Sequence, residues 1–435
     1  MLFLRQRWKW GPFLARRTVA SFAAFNSEGI GSGTVAQNHA VGAARLSSEA
    51  AVDQEEIANL ARDFSRRELL PFAAGWEAEQ RFPVETLRKA AELGFAGIYV
   101  SSDMGGSDLS CRDAALIFES LAYGDIPTTA FLTIHNMVTS TIDSHGHDDL
   151  RKSLLPKLTA MELFASYCLT EPNSGSDAAS LTTSAVRHGD EYIINGSKSF
   201  TSGGGLSDIY LVMARTSSDP CTSKGQGVSA FIVEKGLPGL SFGKKEDKMG
   251  WRSQPTTNVN FDNVTVPKTA LLGKEGSGFK IAMRALDRGR INIAACAVGG
   301  AQFCADVAKE YSKSRKQFGK SIGSFQSTQF KLADMATSLQ ASRLLVHNAA
   351  ESMDNRLERA TLDAAMAKRF ATDAAFQVST EAMQILGGYG YLRDYPIERY
   401  FRDLRVMSIL EGTNEIMRVI IHRELDKLHE QQSQM

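Results

Sequence analysis

The residues most suited to chemistry lie near the end of the chain, in Ile409-Leu410-Glu411-Gly412-Thr413-Asn414-Glu415. Glu411 follows an apolar pair and precedes a glycine, a setting that partly desolvates its carboxyl. Desolvation raises the proton affinity of a carboxylate and makes it a better proton acceptor near neutral pH. Thr413 and Asn414 are good helix caps, and Ile416 to Leu425 reads as the helix they open. A short Glu-Gly motif alone reads more readily as a solvated loop glutamate beside a helix start. The rest of the chain decides between the two.

A second chemical stretch, Tyr167-Cys168-Leu169-Thr170-Glu171-Pro172-Asn173-Ser174-Gly175-Ser176-Asp177, leaves a strand and enters a turn rich in hydroxyls. Successive backbone N–H groups in such a turn can form an anion-binding nest, with Ser174 and Ser176 as extra phosphate donors. An ordinary Pro-Asn-Ser-Gly loop is the competing reading. Gly203-Gly204-Gly205, after Phe200-Thr201-Ser202, is either a turn or a place where backbone approaches a flat ring. No G-x-G-x-x-G opens a helix after a strand, and neither G-x-S-x-G nor H-E-x-x-H is present. Rossmann, nucleophile-elbow and zincin chemistry are therefore not expected.

The elements that must position these residues fall into three regions. From Ser48 to about Phe164 the pattern is helical, with Asp53, Glu55 and Glu56 in the first turn of one helix and Ile57, Leu60, Ala61 and Phe64 on its apolar face. Val84 to Leu93, closed by Gly94, Cys111 to Ala122 and Leu132 to Ile142 predict further helices. Near Phe164 the period changes. Phe164–Leu169, Glu191–Ile194, Ile209–Met213, Val228–Val233 and Val259–Val266 are short β-type runs, with a hairpin predicted at Gly189-Asp190. A compact antiparallel β domain is expected there. From Gly276 helical spacing returns: Leu332, Ala336, Leu339, Val346 and Ala350 share one face, and Leu362, Met366, Phe370, Ala374 and Val378 another. With Phe279–Tyr311 and the helix after Glu411 these make an antiparallel four-helix bundle. The predicted fold class is mainly α with a central β domain, divided 48–163, 164–275 and 276–435, after a leader and linker over 1–47.

Composition narrows the setting. At 435 residues the chain exceeds one ordinary core, and 43% hydrophobic with 23% charged residues is normal for a folded protein. Forty-nine basic residues balance forty-nine acidic ones, so no global field attracts nucleic acid or an anionic membrane. No apolar run is expected to be long and pure enough to span a bilayer. Five cysteines, Cys111, Cys168, Cys221, Cys296 and Cys304, are odd in number without a C-x-x-C pair, which argues against a disulfide framework and a zinc site. Arg5, Arg7, Lys9, Arg16 and Arg17 all precede the first acidic residue, Glu28. That is the profile of a mitochondrial transit peptide, a secretory signal being the rival, and the mitochondrial matrix is the expected compartment.

Taken together, these segments resemble the acyl-CoA dehydrogenase family over about residues 48 to 428. The motifs that carry the resemblance are Tyr167 to Asp177, Asn195-Gly196-Ser197-Lys198, Arg315-Lys316-Gln317-Phe318-Gly319, Gln384-Ile385-Leu386-Gly387-Gly388 and Glu411 to Glu415. The resemblance implies FAD held without a covalent bond in a homotetramer, with electrons passed to electron-transferring flavoprotein. Tyr167, Leu169, Thr170, Gly175 and Ser176, with Phe200, Thr201 and Ser202, would flank the flavin and its pyrophosphate. Gln384, Ile385, Leu386, Gly387 and Gly388, with Thr413, Asn414 and Glu415, would complete the cradle. Phe318 belongs with the cofactor contacts, and Arg315 and Gln326 match positions that reach FAD in a neighbouring subunit. Ser176, Asp287, Arg288, Gly289, Arg290 and Arg423 match acyl-CoA contacts.

Glu411 would then be the base that takes the α-proton of an acyl-CoA thioester while the β-hydrogen leaves as hydride. In some relatives the base comes from the slot of Gly289, which here has no side chain. Phe164 to Cys168, Ser241 to Glu246, Ser253 to Thr256 and Gly289 to Ile293 further match members that act on a short, branched acyl-CoA. Other short acyl-CoA substrates and a non-catalytic flavin-bearing assembly protein remain as alternatives. Two departures stand out. Asn173 replaces a usual Gly, where its tolerance of positive φ is expected to preserve the turn, and Phe200 replaces a common Trp.

Overall fold

The computed structural model describes residues 54–217, 219 and 225–434. The expected leader and linker over 1–47, with Asp53 and Cys221, lie outside the described residues. The chain divides into two units, Met1–Glu56 and Ile57–Met435. Of the first only residues 54–56 are described, and they are helical.

In the second unit the predicted helix through Ile57 and Phe64 comes first, running into a π-helical turn at Ser65–Leu69, and the helices α1 (Ala73–Glu79), α2 (Val84–Glu92), α3 (Cys111–Ala122), α4 (Ile126–His145) and α5 (Asp148–Thr159) follow. Ser110 and Asp113 form a capping box at α3, and Asp125 accepts from the Thr128 N–H where Pro127 pre-sets the first turn of α4. Nearly all of α4 is buried although it is rich in Thr and Ser. Its hydroxyls turn back on the helix: Thr129 donates to the Asp125 carbonyl at 2.7 Å and Thr141 to Met137 at 2.7 Å. Asn136 accepts from the Ile98 N–H at 2.8 Å and donates to the Phe95 and Leu132 carbonyls at 2.9 Å. Satisfied in this way, α4 runs through the core and carries Met137 to the site.

Strands β1 (Ala165–Cys168), β2 (Ser184–His188), β3 (Glu191–Ser202), β4 (Ile209–Arg215), β5 (Val228–Glu234), β6 (Leu240–Phe242), β7 (Thr256–Pro267) and β8 (Leu271–Leu272) form one sheet in the order β6-β7-β3-β2-β4-β5-β8, with β1 also paired to β4. The hairpin predicted at Gly189-Asp190 joins β2 to β3, with His188 opposite Glu191. The expectation of a purely antiparallel domain needs correction, because β1 runs parallel to β4 and β2 meets β4 in parallel at Ser184 and Arg215. Burial on both faces explains the continuous apolar runs of β4 and β5. Ile209, Leu211, Met213, Ala230 and Ile232 face a core shared with α4 and α5. Tyr210, Val212, Phe231 and Val233 face a second core that is completed by β3 and β7.

Five helices follow: α6 (Gly278–Ser314), α7 (Gln326–Asp354), α8 (Ala360–Leu386), α9 (Ile397–Arg405) and α10 (Asn414–Gln434). The short α9 was not anticipated. It leads through a 3₁₀ turn at Val406–Ser408 to Glu411. Two glycines let α6 pack closely. A Cβ on Gly299 would lie 2.0 Å from the Glu119 carbonyl of α3, and one on Gly300 2.4 Å from Ile126 of α4. Contrary to the sequence expectation, α6 is long and apolar enough to cross a membrane by length and composition, but 83% of its apolar window is buried inside the protein. On α7 the expected stripe is incomplete: Leu339, Val346 and Ala350 are buried, whereas Ala336 is exposed. Cys111, Cys168, Cys296 and Cys304 are free and buried.

One buried ion pair ties the hydroxyl-rich turn to the sheet. Lys198 of β3 is fully buried and donates to Glu171 Oε1 at 2.8 Å and to the Leu169 carbonyl at 3.1 Å. Burial by itself opposes both charges. The carboxylate also accepts from the Thr182 and Thr183 N–H groups and the Thr182 hydroxyl, and with Lys198 these donors pull Glu171 down to about 2. The unfolded carboxyl titrates near 4.3, so the stability gained here is complete above about pH 5 and is lost as pH falls toward 2. Lys198→Met, which strands a buried carboxylate, is expected to lose about 3–5 kcal/mol of unfolding free energy in urea at pH 7. A loss below about 1 kcal/mol would show that the pair contributes little.

Candidate active site

The chain reaches Glu411 through a turn that a helix cannot continue. Leu410 N–H still donates to the Val406 carbonyl at 3.1 Å, after which Glu411 (φ +56°) and Gly412 (φ +86°) are both left-handed. For a non-glycine residue that conformation costs roughly 1–2 kcal/mol, so its surroundings must hold it. Arg290 Nε approaches the Glu411 carbonyl at 3.4 Å, and Lys368 Nζ donates to the Gly412 carbonyl at 2.8 Å. Thr413 then caps α10, its hydroxyl accepting from the Ile416 N–H at 3.2 Å. The Glu411 N–H makes no hydrogen bond among the described residues.

The residue keeps partial exposure, yet its Oε2 is sealed from solvent without a hydrogen-bond partner. Burial pushes the carboxyl up to about 7, against the pull of the Arg290 and Lys368 charges. Gly289 of α6 makes the space: a Cβ there would lie 2.7 Å from Glu411 Oε2 and 2.6 Å from Met137 Cε. Gly289 thus leaves room for this carboxylate, besides lacking a rival one. Tyr167 comes from β1, its hydroxyl sealed and unpartnered within electrostatic range of Glu411 and Arg290.

The other expected residues divide. Asp287 and Arg290 pair one helical turn apart at 2.6 Å, and Thr361 donates to Asp287 at 2.8 Å, so Arg290 is a buried support for the turn. Arg288 faces away, its guanidinium 5.2 Å from the Tyr99 ring. Arg423 is exposed and pairs with Glu424 at 2.7 Å. Asn414 was expected to touch cofactor, but its amide is consumed internally, donating to Asp373 at 2.7 Å and Thr372 at 2.9 Å and accepting from Lys368. Glu415 is exposed. Ser174, offered as a phosphate donor, is buried and donates to the Asp177 carbonyl at 2.7 Å. Gly175 and Ser176 are exposed. Asn173 does not adopt positive φ, so the turn survives without that property.

A separate cavity of about 510 Å³ is lined by Arg315, Ile385, Leu386, Gly387 and Gly388, with Tyr311, Gln317 and Tyr389. The Arg315 guanidinium lies 5.7 Å from the Tyr389 ring. Gln326 and Gln384 are exposed outside its wall, and Phe318 is 94% exposed. Sequence reasoning missed Lys368 and Met137. Lys368 lies off the apolar stripe read for α8, so the sequence carried no signal for its burial.

The chain matches the acyl-CoA dehydrogenase N-terminal domain over residues 51–162, the middle domain over 166–264 and the C-terminal domain over 276–425. A mitochondrial isobutyryl-CoA dehydrogenase of Dictyostelium discoideum is 54% identical over 376 residues, 86% of this chain and 89% of that one. The chain belongs to the acyl-CoA dehydrogenase family. Among solved structures, a chain from work on the electron transferring flavoprotein of Acidaminococcus fermentans is 41% identical with a TM-score of 0.83, covering 86% of this chain and 97% of that one. The FAD complex of PigA is 31% identical with a TM-score of 0.83, at the same coverages.

A flavin needs an aromatic wall, sealed polar groups at its ring edge and backbone open to its phosphates. Phe200 at the end of β3 is left-handed (φ +56°) and 71% exposed. Beside it, Thr201 and Ser202 pair with Thr257 and Thr256 of β7. The Thr257 hydroxyl and the Gln254 amide are sealed without partners. Gly175, Gly387 and Gly388 have no atom within 4 Å of where a Cβ would stand. The residues present in this family member fit FAD.

Gly289→Ala is expected to fold but to lose about 1–3 kcal/mol in thermal unfolding, since its methyl collides with Glu411 and Met137. An unchanged melting temperature would mean that the carboxylate has room to move aside.

Proposed function

We propose that this chain is the FAD-dependent dehydrogenase of isobutyryl-CoA, converting it to methacrylyl-CoA in valine degradation, with Glu411 as the base. The observation that carries the reading is the Glu411 Oε2, sealed and unpartnered against the bare Gly289 with its carboxyl at about 7. A carboxylate so placed is poised to accept a proton at neutral pH. The rival carboxylates are weaker candidates, because Glu171 is committed to Lys198 and Glu415 is exposed.

Bound FAD supplies the two-electron acceptor for the β-hydrogen. The protein's part begins with the α-proton, which passes to Glu411 Oε2. The unengaged Glu411 N–H is a preorganised donor for the negative charge that grows on the thioester oxygen. Arg290 and Lys368 keep a fraction of the carboxyl ionised despite its burial. Met137 is buried, its Cε beside the same Gly289 Cα that Glu411 Oε2 approaches, and limits the space around the carboxylate. The mitochondrial isobutyryl-CoA relative supports that substrate and a place in the mitochondrial matrix, as does the basic leader. The flavoprotein-related structure supports electron-transferring flavoprotein as the electron acceptor.

A homotetramer belongs to the same reading. Phe318, Phe330 and Tyr391 are 94%, 62% and 81% exposed, apolar surface that a second subunit would cover. Lys368 and Gln384 are sixteen residues apart on α8, about 24 Å. That separation supports the Arg315 cavity as a contact to FAD seated in a neighbouring subunit.

Single-turnover flavin bleaching by isobutyryl-CoA tests the base. The rate should rise with pH through about 7, and Glu411→Gln should bind FAD and acyl-CoA yet reduce flavin ~10²–10⁴-fold more slowly. Near wild-type reduction in that variant would place the base elsewhere. Arg315→Ala should lower FAD retention and tetramer content together. Gel filtration giving an intact tetramer with full FAD content would remove Arg315 from the cofactor contacts.

A further inference from the structure

Lys368 lies in the middle of α8, completely buried. Its Nζ donates to the Gly412 carbonyl at 2.8 Å and to Asn414 Oδ1 at 2.9 Å. Both acceptors are neutral, and among the described residues Lys368 forms no ion pair. A buried ammonium without a carboxylate partner is a costly occupant, and a Met or Leu would fill the same volume without that cost. The acceptors it does hold are the carbonyl just after Glu411 and the side chain that opens α10. Behind it Asn414 is braced by Thr372 and Asp373, and Thr372 donates back to the Lys368 carbonyl at 2.8 Å.

We propose that Lys368 is the positioning residue for Glu411: its ammonium pins Gly412 and Asn414 so that the strained turn stays left-handed, and its charge faces the carboxylate. This rests on Glu411 being the base. The groups that face Lys368 are Glu411 from the turn, Arg290 from α6, Asp373 from α8 itself and Glu415 from α10, while Tyr167 of β1 faces Glu411 from the other side. Burial lowers Lys368 to about 8, with Arg290 acting in the same direction and Glu411, Asp373 and Glu415 against it. Lys368 is therefore largely charged at pH 7. Its charge holds Glu411 below the value that burial alone would set, and removing it should raise the Glu411 titration further.

Two variants separate this role from simple packing. Lys368→Met removes both charge and hydrogen bonds, and Lys368→Gln removes the charge but keeps a donor near the Gly412 carbonyl. Each is purified with FAD, and flavin bleaching by isobutyryl-CoA is followed across pH. In both, the acid limb should move up by about one pH unit. The high-pH plateau should fall about 10- to 100-fold in Lys368→Met and less in Lys368→Gln, because only the former frees the turn. A readout without turnover is the infrared titration of the buried carboxyl band, identified by its loss in Glu411→Gln, which should show the same upward shift. Ser352→Ala, which deletes a buried hydrogen bond to Asp363 elsewhere between α7 and α8, should lower the melting temperature without moving the limb. An acid limb and plateau unchanged from wild type in both Lys368 variants would overturn the proposal, as would failure of both to fold, which would assign Lys368 to folding alone. Wild-type bleaching in Glu411→Gln would instead refute the base assignment on which the proposal rests.

Discussion

A carboxyl sealed from water beside two buried cations is the constraint that the rest of this structure serves. Desolvation and charge act on Glu411 in opposite directions. Burial drives it toward the neutral acid, while Arg290 and Lys368 favour the anion, and the balance falls at about 7. Without the cations burial would carry the carboxyl higher still; without the burial it would be an ordinary carboxylate. Neither cation forms an ion pair with Glu411. Arg290 is paired with Asp287, and Lys368 holds neutral oxygens. Because no hydrogen bond ties it down, Oε2 stays free to accept a proton.

Each structural region delivers one part of that balance. The buried helix α4 brings Met137, β1 brings Tyr167, α6 brings Gly289 and Arg290, and α8 brings Lys368. Glu411 itself sits on a loop, the least rigid part of a fold, and in a backbone conformation that loops adopt at a cost. Its rigidity is borrowed from α6 and α8, whose Arg290 and Lys368 reach the carbonyls of the left-handed pair itself, Glu411 and Gly412. The turn after β1 is held by the Glu171–Lys198 pair, a buried charge satisfied by several donors rather than one.

The helical elements were legible in the sequence because their signals are local. Cys111–Ala122 was read with both ends correct, and the structure adds the Ser110 and Asp113 capping box that starts it. The strand runs Ile209–Met213 and Val228–Val233 were also legible, although their double-sided burial was not. Ala336 kept the helical period of α7 and is nonetheless exposed, because periodicity identifies a possible face and not whether anything covers it. The short α9 was missed: its nine residues include three arginines and two acids, and its apolar anchors Ile397, Tyr400 and Leu404 find their cover far away in the chain.

At the site the division is sharper. The sequence by itself determined that a glutamate is followed by a glycine and a helix cap, and that position 289 carries no side chain. It also placed the aromatic Phe200 and the glycines that leave backbone open. Only the tertiary structure decided that Asn414 is a brace, that Ser174 is already bonded, and that Lys368 belongs beneath Glu411. The physical reason is range. Caps, turns and apolar periods are set by neighbours a few residues apart, whereas desolvation and charge pairing are set by whatever the fold brings close. The Lys368–Gly412 bond joins residues 44 apart and the Arg290–Glu411 approach residues 121 apart, and no local pattern carries either.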